Sequence, residues 1–312
     1  MSEPANRPGR LGIGVIGAGK VGAVLGAALR SAGHALVGVH AVSEDSRTRA
    51  EALLPDVPVL PIPQIVERSE VVLFAVPDDE LGPLVSGLAQ AGHFTTGQIL
   101  VHTSGRFGTD VLEPGREAGA IALAVHPVMT FTGLSLDLAR LHTASFGVTA
   151  SGPFLPIAQA LVVEMGGEPV VVAEGDRPLY HAALAHASNH SVTLVGQASQ
   201  ILESMGIENP GEVLGPLVRA SIDNALASGD GALTGPVVRG DAGTVQTHRE
   251  NLEGFATEES APDIGAAYLA MAEASAYRAN RRGALPDEAL ERILRALGLE
   301  NSHKSESGGH EQ

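Results

Sequence analysis

A short apolar run from Leu11 to Ile16 ends in Gly17-Ala18-Gly19-Lys20-Val21-Gly22, which opens directly into the Ala-rich stretch Val21 to Ala32, closed by Gly33. Three glycines at this spacing, placed between a strand and a helix, leave few folds open. The first permits a tight turn, the second lets another molecule approach the backbone, and the third lets the helix lie close on the strand. The free N–H groups at such a helix start present partial positive charge to an anion. The pattern therefore predicts a βαβ unit whose first turn holds a dinucleotide pyrophosphate. Gly17, Gly19, Lys20, Val21 and Gly22 are its candidate contacts, the bland alternative being a glycine turn that only packs.

The rest of the first half continues that unit. Strands are expected at Ala35–Val42, Pro58–Leu60, Val71–Val76, Gln98–His102 and Ile121–Val125, with helices over Arg47–Leu54 and Gln64–Arg68 between them. Strands at Ala144–Thr149 and Pro169–Ala173, flanking a helix Pro153–Met165, finish the sheet. Dense β-branched runs of this kind belong in a parallel sheet covered on both faces. After Gly175 the pattern turns helical, over Pro178–Met205, Gly211–Leu226, Thr244–Leu252 and Asp263–Arg281. The expected fold class is α/β: an N-terminal Rossmann doubly wound parallel sheet, residues 10–173, with a C-terminal all-α domain, residues 174–300. A loose leader over 1–9 and a polar, disordered tail over 301–312 complete the chain.

Composition narrows the functional classes. Of 312 residues, 36 are acidic and 20 basic, a net charge of −16 that repels nucleic acid and acidic membranes. No run reaches the roughly 18 apolar residues of a membrane span. The absence of Cys removes thiolate chemistry, disulfides and Cys-based metal sites, and fits a cytoplasmic protein. His186 and His190 stand one helical turn apart without a third ligand, so no metal is expected. With no Trp and 3% aromatic residues, the core must be built from Ala, Val, Leu and Ile.

An acid at the end of the second strand would select NAD by holding the ribose 2′-OH. Here the strand is followed by His40, Ala41, Val42 and Ser43, with Arg47 and Arg49 beyond, which favours NADP(H) over NAD(H) through a 2′-phosphate. Ala75, Val76 and Pro77 end the Val71 strand, and Thr103 and Ser104 follow the Gln98 strand, at the sheet edge where ligands of doubly wound folds bind. They join Ser43 and Arg47 as candidate cofactor contacts. Asp78 is read as the cap of the next helix.

Taken together, GVIGAGKVG, FAVPDDEL, HTSG at His102–Gly105, His126-Pro127, YHAALAHASN at Tyr180–Asn189 and LTGPVVRGD at Leu233–Asp241 resemble the 6-phosphogluconate-dehydrogenase-like group. Within it, the chain is similar to Rossmann-like proteins whose second half is the domain of unknown function DUF2520. The resemblance implies hydride transfer by a nicotinamide cofactor and places ketopantoate and pyrroline-5-carboxylate reductases among the wider relatives. It also implies a homodimer formed through the helical half.

In the related hydroxyacid dehydrogenases a Lys stands one turn before an Asn. Here Ala185 stands one turn before Asn189, so that Lys is missing. His186 and His126 are the remaining proton donors, since imidazole titrates near neutral pH, with Asn189 orienting the substrate. Ala182, Ala185, His186, Asn189, Thr193 and Gly196 share one helix face by 3.6-residue spacing. Thr234, Arg239, Asp241, Thr244 and His248 form a second constellation, in which Asp241 caps a helix and Arg239 suits a substrate carboxylate. A purely structural turn is the alternative there. The expected function is NADP-dependent reduction of a small 2-oxo acid, ketopantoate by analogy. Pyrroline-carboxylate-type imine reduction and a non-catalytic dinucleotide-binding regulator are the alternatives.

Overall fold

The structure, a computed structural model, describes residues 10–299, so the leader and the tail expected from sequence lie outside the described residues. The described chain divides into two compact units, one up to Ala187 and one from Ser188 on. The division falls within a single long helix, beyond the change of pattern near residue 174.

The first unit runs β1 (Gly12–Ile16), α1 (Lys20–Ser31), β2 (Ala35–His40), α2 (Glu44–Leu53), α3 (Ile62–Arg68), β3 (Val71–Phe74), α4 (Asp78–Gln90) and β4 (Ile99–His102). It continues through α5 (Glu113–Glu117), β5 (Ile121–Pro127), α6 (Leu136–Leu141), β6 (Ser145–Ala150), α7 (Leu155–Glu164) and β7 (Glu168–Val171). The seven strands form one sheet in the order β2-β1-β3-β4-β5-β6-β7. The chain leaves β1 in opposite directions toward β2 and β3, so the crevice at their carboxyl ends is the switch point of a doubly wound sheet.

Both faces of this sheet are covered. Alternate residues Val71 and Leu73, Ile99 and Val101 enter one core with Leu25 and Leu29 of α1 and Leu161 of α7. Their neighbours Val72, Phe74 and Leu100 enter a second core with Ile65 of α3 and Val85 of α4. The period of two thus produces two apolar layers rather than one.

Three features differ from the sequence expectation. Pro58–Leu60 is not a strand, and only a bridge between Val39 and Val59 forms at the edge. Pro58 and Pro61 on either side lack the N–H groups a ladder needs. Second, β6 runs antiparallel to β5, with His126 opposite Gly147, so the sheet is mostly rather than wholly parallel. Third, Pro77 rather than Asp78 is the N-cap of α4, and Asp78 stands in the first turn.

From β7 the chain enters α8 (Arg177–Ser204), α9 (Pro210–Ser228), α10 (Ala242–Glu258), α11 (Pro262–Arg281) and α12 (Asp287–Ala296), the last not anticipated. The core of the second unit lies among α10, α11 and α12, around Val245, Ala272, Ala276, Leu285 and Ile293. No helix among the described residues is long and apolar enough to cross a membrane.

Candidate functional site

The glycine turn folds as its spacing requires. Gly17 has φ +99°, and a side chain on Gly22 would lie 2.0 Å from the Gly17 carbonyl oxygen and 2.8 Å from Ala75 Cβ. The Gly17 and Ala18 N–H groups donate to the His40 carbonyl at 3.3 and 3.0 Å, which ties the turn to the end of β2. Gly19 is the N-cap of α1 and supplies no side-chain cap, and a Cβ placed on it would meet nothing within 4 Å. Open space therefore stands over uncapped helix N–H groups, with Lys20 as the first helical residue and no acid in the first turn. These residues fit a dinucleotide pyrophosphate on charge and on space.

Around this turn the structure gathers some of the other candidates. Ala75 packs on Gly17 and Gly22 at the end of β3, and Thr103 N–H donates to the Phe74 carbonyl at 3.2 Å. Ser43 is occupied as the N-cap of α2, where its Oγ accepts from Ser46 N–H at 3.1 Å. Arg47 is exposed on α2, whereas Arg49 reaches back to the Ala18 carbonyl at 3.3 Å. A side chain on Gly133 would come within 3.0 Å of both Lys20 and Arg49, so the Thr132–Gly133 segment lies beside the two cations. Asp137 holds that segment from beneath: it is fully buried and accepts from Thr132 N–H (2.7 Å), Gly133 N–H (2.8 Å) and Thr132 Oγ1 (2.9 Å). Burial alone would raise its pKa, but these N–H donors and Arg140 hold the carboxylate below its ordinary range.

At the carboxyl edge of β4 and β5 lies a cluster that sequence reasoning only partly anticipated. Arg177, the first residue of α8, is fully buried. Its guanidinium donates to Thr149 Oγ1 (2.8 Å), the Gly147 carbonyl (3.0 Å), the Ala124 carbonyl (3.1 Å) and the Ser104 carbonyl (3.5 Å). Such a charge is held by carbonyl dipoles of β5, β6 and the loop after β4 rather than by a carboxylate in direct contact.

His126 and Tyr180 meet at 2.9 Å between Nδ1 and the phenolic oxygen, with their rings edge to face. His181 lies 6.0 Å from the His126 ring centre. Burial, with Arg177, His181 and His102 nearby, lowers the His126 pKa from 6.5 to about 4. His126 is therefore neutral at physiological pH.

The loop after β4 is fixed from two sides. His102, fully buried, donates from Nε2 to the Gly108 carbonyl at 2.7 Å and accepts the Ser104 N–H on Nδ1 at 3.2 Å. Desolvation lowers its pKa to about 4. Glu174 accepts from Thr109 N–H (2.7 Å), Thr109 Oγ1 (3.0 Å) and Asp110 N–H (3.2 Å). Gly105 in this loop faces His126 and His181: a Cβ there would lie 2.9 Å from His126 Nε2 and 2.6 Å from His181 Cδ2.

The two other expected catalytic residues, His186 and Asn189, are exposed on α8. In the second unit, Asp241 caps α10 as expected, accepting Thr244 N–H at 3.1 Å and Thr244 Oγ1 at 2.7 Å. Those bonds occupy Thr244. His248 Nδ1 meets Tyr268 OH at 3.0 Å, and Thr234 and Arg239 are exposed on the turn before the helix. Sequence reasoning missed Arg177 and Glu174 altogether and left Tyr180 and His102 without a role. A usable signal was Arg177-Pro178 at a helix start, where a cation opposes the helix dipole unless something else holds it.

The Rossmann-like domain family matches residues 1–127, and the family described as a domain of unknown function, DUF2520, matches residues 144–275. No curated relative matches the sequence. Among solved structures, a Bacteroides fragilis protein assigned as an NADP oxidoreductase aligns with a TM-score of 0.69 at 18% identity, over 86% of this chain and 98% of its own. An Aspergillus terreus reductive aminase, solved with NADPH and ethyl-5-oxohexanoate, aligns at 0.63 and 16% identity over 91% and 99% of the two chains. Plasmodium falciparum pyrroline carboxylate reductase with NADP bound aligns at 0.53 and 12% over 87% and 100%. At these identities the likeness is one of fold. Residues 1–127 thus match a Rossmann-like domain and residues 144–275 a DUF2520 domain.

Proposed function

We propose that the protein is an NADP-dependent oxidoreductase that reduces a polarised C=N or C=O bond in a small molecule. The observation that carries this reading is His126: a neutral imidazole at the carboxyl edge of a doubly wound sheet whose glycine turn leaves open space over an uncapped helix. Bound at that turn, a reduced nicotinamide dinucleotide supplies the hydride. Gly19 and the start of α1 hold its pyrophosphate, Lys20 and Arg49 add positive charge, and the lack of an acid at the end of β2 favours the 2′-phosphate form. His126 donates a hydrogen bond from Nε2 to the oxygen or nitrogen of the bond being reduced, a role a neutral imidazole can fill.

Imine reduction of the pyrroline-carboxylate kind is supported by the missing Lys before Asn189, since an iminium arrives already activated, and by the reductive aminase and pyrroline carboxylate reductase among the folds it resembles. Reduction of a 2-oxo acid such as ketopantoate is the second reading, supported by the Nε2 donor that a carbonyl oxygen needs. The test is NADPH oxidation across a panel of cyclic imine carboxylates and 2-oxo acids. We expect turnover with one of the two classes and a loss of roughly 100-fold or more in kcat for His126→Ala at unchanged NADPH affinity. NADPH binding without oxidation by any member would replace the enzyme with a dinucleotide-binding regulator.

The same reading includes a homodimer. Large apolar side chains stand exposed along α8 and α9, among them Val192 (73%), Leu217 (65%) and Leu226 (82%). Helices of this length hold their shape by burying an apolar face, and a second copy of the chain supplies the cover. Sedimentation of Leu217→Glu/Leu226→Glu should show monomer where the parent protein is dimeric. An unchanged mass would assign that face to something else.

A further inference from the structure

The reductase reading leaves open where the proton comes from, because a neutral His126 that gives up its Nε2 proton must be resupplied. The Tyr180 phenol is placed to do so. Its oxygen lies where a side chain on Gly147 would have to be, 2.4 Å from the ideal Cβ position. It stands 2.9 Å from His126 Nδ1, and a phenol that donates to Nδ1 fixes the imidazole proton on Nε2. No hydrogen bond to Nε2 is made among the described residues, and Nε2 is not among their buried unpaired atoms, so that N–H faces out beside Gly105. Arg177 Cζ lies 5.7 Å from the Tyr180 ring centre, a buried cation over the ring that would become negative.

We propose that Tyr180 supplies, through His126, the proton that accompanies reduction; the proposal rests on the reductase reading above. As the substrate carbon gains a hydride from a reduced nicotinamide dinucleotide, the His126 Nε2–H bond breaks and its proton joins the oxygen of a carbonyl or the nitrogen of a neutral imine, a preformed iminium carrying that proton already. The Tyr180 O–H bond breaks in the same direction, and its proton joins Nδ1. The imidazole stays neutral with its proton moved from Nε2 to Nδ1, and the phenolate left behind is stabilised by the nearby Arg177 charge until water reprotonates it. His126 is the catalytic residue of this step, and Tyr180 is a positioning residue that acts through it. Burial raises the Tyr180 pKa while Arg177 opposes that rise, and burial, assisted by Arg177, His181 and His102, keeps His126 from carrying its own second proton at neutral pH.

The experiment uses the full-length protein and Tyr180→Phe. Long-range ¹H–¹⁵N spectra of histidine-labelled protein at pH 7, without cofactor, read the tautomer directly, with His126→Gln identifying the signal. The relay predicts the Nε2–H form of His126 in the parent and a mixture of both tautomers in Tyr180→Phe. With substrate, kcat should fall about 100-fold in Tyr180→Phe at unchanged NADPH affinity. The dependence of kcat on the deuterium content of the solvent should change from curved, for two protons in flight, to linear. An Nδ1–H tautomer in the parent, or a kcat in Tyr180→Phe within about threefold of the parent, would overturn the relay. Absence of turnover with every carbonyl and imine, with the Nε2–H form in place, would overturn the reductase reading and the proton step with it. The tautomer result tells the two failures apart.

Discussion

The Tyr180–His126 and Tyr268–His248 pairs share a geometry and little else. Oxygen and Nδ1 stand 2.9 Å apart in the first and 3.0 Å in the second, and ring centres 5.7 and 5.8 Å apart. The first pair sits at the sheet's carboxyl edge over a buried guanidinium, with Gly105 and Gly147 making room for it. In the second, His248 is exposed on the surface of α10. A hydrogen bond between the same two side chains is thus a surface contact in one unit and part of a desolvated, charged network in the other. Environment, rather than the pair itself, decides which can do chemistry.

The sharpest way to break that contrast is at Arg177. Arg177→Met leaves four acceptors without their donor, three of them backbone carbonyls at the sheet edge. It should destabilise the protein by about 3–5 kcal/mol in urea unfolding. Arg177→Lys should recover part of this, because it keeps the charge and loses the fork that reaches several carbonyls at once.

Next in size is the response to acid. His102 and His126 have pKa values near 4 when folded and near 6.5 when unfolded, so between those values the unfolded chain binds more protons. Stability is fully present above pH 6.5 and is lost as pH falls toward 4, by up to about 3 kcal/mol for each histidine. Unfolding midpoints at pH 7, 6 and 5 should fall in that order, and His126→Gln should flatten the slope. Glu164, held below its ordinary 4.5 by His34 and Arg10 against the opposing effect of burial, adds its own loss only below that pH.

The smallest effect compares the two hydroxyls directly. Tyr180→Phe leaves the part-buried His126 Nδ1 without a partner and should cost about 1–2 kcal/mol. Tyr268→Phe exposes His248 to water that can replace the bond, and should cost about 0.5 kcal/mol or less. Equal losses in thermal or urea unfolding would show that the two pairs are energetically alike and remove the contrast.

How much of this was legible in the sequence follows from distance along the chain. The glycine turn, the strands that alternate between two cores and the Asp241–Thr244 cap are set by residues within a few positions of one another, and each appears where its spacing places it. Pro58–Leu60 forms only a bridge rather than a strand, because Pro58 and Pro61 lack the N–H donors a ladder needs. His126 was visible as a titratable group, but its partner Tyr180 lies 54 residues away and carries no local mark.

The sequence by itself therefore determined that a βαβ unit with a glycine turn at its first helix forms, and that a helical half follows it. Steric fit, capping and periodicity act over one or two turns of chain and need no knowledge of what packs on top. The antiparallel β6, the burial of Arg177 among the Ala124, Gly147 and Ser104 carbonyls, and the neutral His126 were decided by tertiary structure alone. The cost of burying a charge or a proton depends on which distant backbone dipoles the sheet order brings within 3 Å or so, and that order is written in no single stretch of residues.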